Sequence, residues 1–196
     1  MHCRSFLTGL ASGAGGLAAA GALACPSSGD LGKGIRVDYG DESYSIITRD
    51  AAGTLREVEY SGDEVYVYVT ENGLLETGYE EPGADTADRF EYTFDTSAIV
   101  PPEPWSGQRG EQITRDKDGV EVERLGFSYY TRGRTDFSIG ECRYAAMGVQ
   151  TYYDNPDERS LVEFVYLLDL GVPLVLGYGG PGYFEPHTPT AISAVD

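Results

Sequence analysis

The stretch EVYVYVTENGLLETGY, residues 64–79, alternates valine with tyrosine or threonine through its first seven positions. Successive side chains of an extended chain point to opposite faces, so Val65, Val67 and Val69 share one face while Tyr66, Tyr68 and Thr70 share the other. A helical period would scatter both sets around a cylinder. Asn72-Gly73 follows at once, a pair that tolerates positive φ at both central positions of a two-residue hairpin. The spacing therefore predicts a strand over 64–70, a tight turn, and an antiparallel return through LLETGY (74–79).

The same period spreads outward in both directions. IRVDY (35–39) sets Ile35, Val37 and Tyr39 against Arg36 and Asp38, and GDE turns it into SYSIIT (43–48). RFEYTF (89–94) points Phe90, Tyr92 and Phe94 inward. VPPEPWSGQRG (100–110) holds three prolines, which rule out regular pairing and predict a crossing between two halves of the fold. Beyond it, Asp118-Gly119 turns another hairpin. The apolar phase then slips from Val120 and Val122 to Leu125, Phe127 and Tyr129, which implies a bulge near Glu123 or Arg124. TDFSI (135–139), CRYAAMGVQTYY (142–153), LVEFVYLLDL (161–170) and VPLVLGY (172–178) complete the set, the last as an edge because Pro173 lacks a donor. LVEFVYLLDL also has the length and leucine content of a helix, and its neighbours favour strand. The expected fold is all-β: a strongly curved antiparallel sheet, as open half-barrel, barrel or sandwich, of about ten to twelve short strands. Residues 35–178 form the single domain, 25–34 a flexible linker, and 179–196 a Gly- and Pro-rich tail.

Composition agrees, with 15 tyrosines among 196 residues but two methionines and two histidines. Net charge is −18, from 14 basic against 32 acidic side chains. Such a surface repels phosphate backbones and anionic headgroups, which argues against nucleic acid as partner and leaves a membrane reachable only through an attached lipid.

Residues 1–24 run from MHCR through SFLTGLASGAGGLAAAG to Ala22-Leu23-Ala24, the order of an export signal peptide: positive start, apolar middle, small residues at the cut. Its glycines make it a weak membrane anchor. Ala22-Leu23-Ala24-Cys25 resembles the lipobox of bacterial lipoproteins, in which the Cys thiol receives a diacylglyceryl group, although the family places Leu earlier. The same residues also make an ordinary Ala-x-Ala cleavage site just before Cys25. Cys3 departs with the leader, so Cys25 and Cys142 remain, too few for a four-cysteine or mixed metal site. Cys25 is then either a lipid attachment or cleavage site that leaves Cys142 a buried thiol, or the partner of Cys142 in a disulfide. The two readings exclude each other.

Chemical motifs are sparse. His187 lies in EPHTPT, where a tail cannot hold a catalytic base in place. No nucleophile elbow, P-loop or dinucleotide fingerprint occurs, and DKDG (116–119) reads as a turn before it reads as a calcium loop. Glu163 reads as an outward residue of its strand. No catalytic residue, metal ligand or cofactor is assigned. What remains is a set of aromatics, Tyr66, Tyr68, Tyr92, Trp105, Tyr129, Tyr144 and Tyr152, as candidates to line a concave face for lipid, peptide or glycan.

TDFSIGECRYAAMGVQTYYDNPDERSLVEFVYLLDLGVPLVLGY resembles the ending of uncharacterised bacterial envelope proteins, some with an open half-barrel similar to periplasmic lipoprotein carriers. That resemblance implies a curved β architecture, and the chain is expected to be a non-enzymatic envelope protein, a lipoprotein on the periplasmic side of a bacterial membrane or a soluble periplasmic or secreted protein, that binds a hydrophobic ligand or an envelope protein on its Tyr-rich sheet. The alternatives are a secreted hydrolase using a carboxylate pair and a structural accessory subunit.

Overall fold

A computed structural model describes residues 24–40, 43–71, 73–83, 87–97, 99–154 and 159–196. The expected export signal, apart from Ala24, lies outside the described residues. Thirteen strands form one antiparallel sheet: β1 (Ile35–Gly40), β2 (Ser43–Arg49), β3 (Leu55–Ser61), β4 (Glu64–Thr70), β5 (Gly78–Glu80), β6 (Ala87–Tyr92), β7 (Gly107–Arg115), β8 (Glu121–Ile139), β9 (Cys142–Asp154), β10 (Arg159–Leu167), β11 (Val172–Gly180), β12 (Tyr183–Pro186) and β13 (Ala191–Ala194). Each pairs with its successor from β1 through β12, and β13 returns to the free edge of β1. The ladder does not close between β12 and β13, so the all-β, strongly curved sheet is open.

Following the register from strand to strand defines an inner face. It carries Glu57 and Glu59 of β3, Tyr68 of β4, Tyr92 of β6, Gln112 of β7, Phe127 and Tyr129 of β8, and Val149 and Thr151 of β9. One core cluster lies on this face, joining Phe127, Tyr129, Val149, Phe164 and Tyr166 to Leu74, Leu75 and Ile99 from the loops. A second cluster takes Ile35, Val37, Ile47 and Leu55 from the inner face of β1, β2 and β3, but Tyr144, Ala146, Val165, Leu167 and Leu174 from the reverse face of β9, β10 and β11. The sheet thus coils its first strands onto the back of these three. β10 is covered on both sides, Phe164 and Tyr166 in one cluster and Val165 and Leu167 in the other. A strand buried on both faces reads as an unbroken apolar run, which is why LVEFVYLLDL also looked helical.

Several expectations need correction. Val69 pairs with Gly78, so the hairpin after β4 is wide rather than two-residue, and it carries Leu74 and Leu75 into the core; Asn72 lies outside the described residues. Burial of two leucines outweighs the local turn preference. TDFSI is the end of the 19-residue β8, which begins at Glu121. The proline stretch makes no crossing between halves, because β6 and β7 are neighbours. Residues 25–34 are packed: Ser28–Gly32 is a 3-10 helix with Leu31 wholly buried in a core. The supposed tail supplies β12 and β13, so there are thirteen strands and β11 is an edge only below Gly177, where Pro173 sits opposite Tyr166 alone. The phase slip is a bulge that leaves Val122 unpaired between Glu121 and Glu123, one residue from its expected place.

Cys25 and Cys142 are joined as a disulfide, with Cα atoms 5.5 Å apart. The Sγ that a lipid would need is used in that bond.

Candidate functional site

Among the places that gather polar side chains, two combine them with enclosed or exposed aromatic rings. The first is inside the sheet, where Glu57 and Glu59 lie two residues apart on β3 and therefore point the same way. With Tyr39, Tyr68, Glu76, Val175, Tyr178 and His187 they line a hollow of about 20 Å³. Burial, then the charges of its neighbouring glutamates, pushes Glu76 up to about 7. Burial chiefly raises Glu57 to about 7 as well. The same desolvation pushes the hydroxyls of Tyr39, Tyr68 and Tyr178 up, so they stay protonated, and holds His187 below the ordinary imidazole range. His187 is held firmly: its ring stacks on Tyr39 at 4.0 Å and its backbone N–H donates to the Leu176 carbonyl at 2.8 Å. A hollow of this size holds roughly one water, since a water needs about 10–15 Å³ of such space. It can share protons among carboxyls, but it admits no sugar or acyl chain.

The second place is on the opposite face of β9, β10 and β11. β7 pairs with β8 only as far as Tyr130, so beyond Thr131 β8 has a free edge. A bulge at Arg132 and Gly133 follows, between Thr131 opposite Val149 and Arg134 opposite Met147. Over that edge lies Trp105, 79% exposed and at φ 58°, a left-handed conformation that costs a bulky residue strain. Its neighbours are nonetheless fixed to Thr131. The Ser106 N–H donates to Thr131 Oγ1 at 2.8 Å, Thr131 Oγ1 donates to the Glu103 carbonyl at 2.5 Å, and the Thr131 N–H donates to the Ser106 carbonyl at 2.8 Å. The indole crosses Gly133 so closely that a Cβ there would stand 2.8 Å from its Cζ2.

Trp105 forms one side of a groove of about 400 Å³ whose other lining residues include Gly148, Val165 and Leu176 on the floor and Arg132, Arg134 and Thr135 around it. Gly148 leaves room for the stem of Arg132, whose Cδ would lie 3.3 Å from a Cβ at that position. Next along this face stand Gln150 and Glu163, hydrogen-bonded to each other, and Tyr130 edge-on to Tyr152 at 6.0 Å. Glu163 also faces Arg132 at 3.5 Å, so it is an outward residue as its strand position predicts.

The seven expected aromatics do not share one surface. Tyr66, Tyr68, Tyr92 and Tyr129 follow the inner face, where Tyr129 is buried in the core and Tyr92 donates to the Glu76 carbonyl at 2.8 Å. Tyr144 is buried on the reverse face beneath the second cluster, donating to the Pro26 carbonyl at 3.3 Å. Tyr152 and Trp105 belong to the outer side. Sequence reading did not reach Glu57, Glu59 and Glu76 as a cluster, nor Arg132 and Arg134 as a groove. Asp116 closes the DKDG hairpin, its Oδ1 accepting from Asp118 and Val120 N–H groups at 2.9 Å each.

Among the described residues no group of three or more His, Cys, Asp or Glu is arranged to hold a metal ion. Nor is any helix among them long and apolar enough to cross a membrane. No family model matches the chain, and neither the curated proteins nor the solved structures contain a match to it.

Proposed function

We propose that this is an exported, non-enzymatic binding domain that holds a carbohydrate in the groove beside Trp105. The observation that carries the reading is the presentation of Trp105: a large flat ring, almost fully exposed, on a strained backbone whose flanking residues are tied to Thr131. An exposed indole presents a flat apolar face, and sugar rings offer an apolar face to stack on it and hydroxyls to satisfy a polar rim. Thr135, Arg132 and Arg134 supply such a rim, and a groove of about 400 Å³ lies within the range of small-ligand sites.

Export is supported by the Cys25–Cys142 bond, because disulfides persist in oxidising compartments. That pairing favours a soluble periplasmic or secreted protein over a lipid-anchored one. The converging glutamates are what a hydrolase would need, but their hollow of about 20 Å³ has no room for substrate, and the same size argues against an acyl-chain carrier on that face.

The test is retention on a panel of immobilised plant, fungal and bacterial polysaccharides, comparing the wild-type domain with Trp105→Ala. The expected result is retention on at least one polymer, lost at least tenfold in the variant while its circular dichroism is unchanged. Equal retention of both proteins, or none on any polymer, overturns the proposal.

A further inference from the structure

Resting on the reading of the groove as a sugar site, we infer that its sugar is carboxylated, a uronate-type residue whose carboxylate is met by Arg134 and Arg132. Charge singles the groove out. In a chain with 14 basic and 32 acidic side chains, the charged residues lining it, among the described residues, are Arg132 and Arg134. A neutral sugar requires neither. A cationic ligand would find better sites almost anywhere else on so acidic a surface.

The two arginines are differently prepared. Arg132 lays its stem across Gly148 on the groove floor, and the one ion pair of its head among the described residues, at 3.5 Å to Glu163, leaves most of its five donors available. Its side chain is 59% exposed, so that pair is loosely held in water. Arg134 makes no ion pair among the described residues and stands just past the bulge on the free edge of β8, opposite Met147, where it borders the groove. A guanidinium binds a carboxylate through two parallel N–H donors, a geometry that a planar sugar carboxylate fits. A ring stacked on Trp105 would bring its carboxylate toward the arginines while its hydroxyls reach Thr135.

The chain contains one tryptophan, so its emission reports this groove alone. Oligogalacturonate and oligoglucuronate are titrated into the full domain, each as the free acid and as its methyl ester, which removes the charge and keeps the ring. The same titrations are repeated with Arg134→Gln. The expected result is that one acid binds at least tenfold more tightly than its ester, and that the variant removes most of that tenfold difference between acid and ester. Equal binding of acid and ester, unaffected by the variant, overturns the carboxylate inference and leaves the sugar reading standing. If no oligomer changes the emission and the polysaccharide panel also fails, the sugar reading itself falls. If the panel succeeds on neutral polymers alone, only the present inference does.

Discussion

Thr131 shows how much one hydroxyl can position. It is buried, it accepts from Ser106 and donates to Glu103, and these two residues bracket the exposed indole. Valine has the same shape without the hydroxyl, so Thr131→Val removes the partner of the part-buried Ser106 N–H and of the Glu103 carbonyl at a cost of about 1 kcal/mol. Urea denaturation is expected to show that loss together with a shift in Trp105 emission, whereas Thr131→Ser keeps both near wild type. An unchanged emission in the valine variant would mean that the loop holds the indole without Thr131. Trp105 was legible as a candidate from the sequence, but the groove was not. Its shape depends on the absent side chains of Gly133 and Gly148, and a glycine inside a strand announces only that something comes close, not what.

Among the elements, β3 and the last two strands were hardest to foresee. In REVEYS (56–61) the alternation places Val58 and Tyr60 on one face and Glu57 and Glu59 on the other, and local pattern alone sends the glutamates to water. Pairing of Glu57 with Ile47 and Tyr68, and of Glu59 with Ser45 and Tyr66, turns them inward. Register belongs to the whole ladder, so no short window contains it. At the other end, Pro186 and Pro189 make EPHTPT look unstructured, yet His187 stacks on Tyr39 and the Thr190 N–H donates to the Asp38 carbonyl at 2.7 Å. β13 then buries Ile192 against the core beside Val37. Thermal unfolding is expected to show a loss of about 1 kcal/mol for His187→Ala, the scale of one aromatic pair. Deleting 191–196 removes a strand and a buried isoleucine, worth about 1.5–3 kcal/mol for the side chain alone, and should lower the melting temperature further. A melting temperature indifferent to both changes would return this segment to the status of a tail.

At the scale of the molecule, the glutamates tie stability to pH. Glu57 and Glu76 titrate near 4.5 when exposed and at about 7 in the fold, so the native state binds their protons more tightly than the unfolded chain does. The stabilisation is complete below the unfolded value and disappears as pH rises through about 7. His187 works the other way, its depressed value costing stability as acid forces a charge onto a buried ring. Two carboxyls outweigh one imidazole, and the melting temperature should fall between about pH 5 and pH 8. General repulsion at −18 has the same sign, so the comparison that isolates the cluster is Glu57→Gln with Glu76→Gln, whose curve should be flatter across that window. Parallel curves would place the pH dependence elsewhere on the surface. The pairing of β13 with β1 has a consequence of a different kind. Ile35 stands opposite Ala194, and the Val195 N–H donates to the Gly34 carbonyl at 2.9 Å, so the first and last strands of the sheet end at one spot, with the packed residues 25–34 just ahead of β1. Topologically the domain is a ring with a single nick, and nothing in the ladder depends on where that nick falls. A short peptide could join the ends and new ones be opened at the exposed Asp118-Gly119 turn, giving a circular permutant with the same neighbours for every strand. By the same geometry the whole domain could be inserted into a surface loop of another protein, displaying its Trp105 groove without disturbing the host.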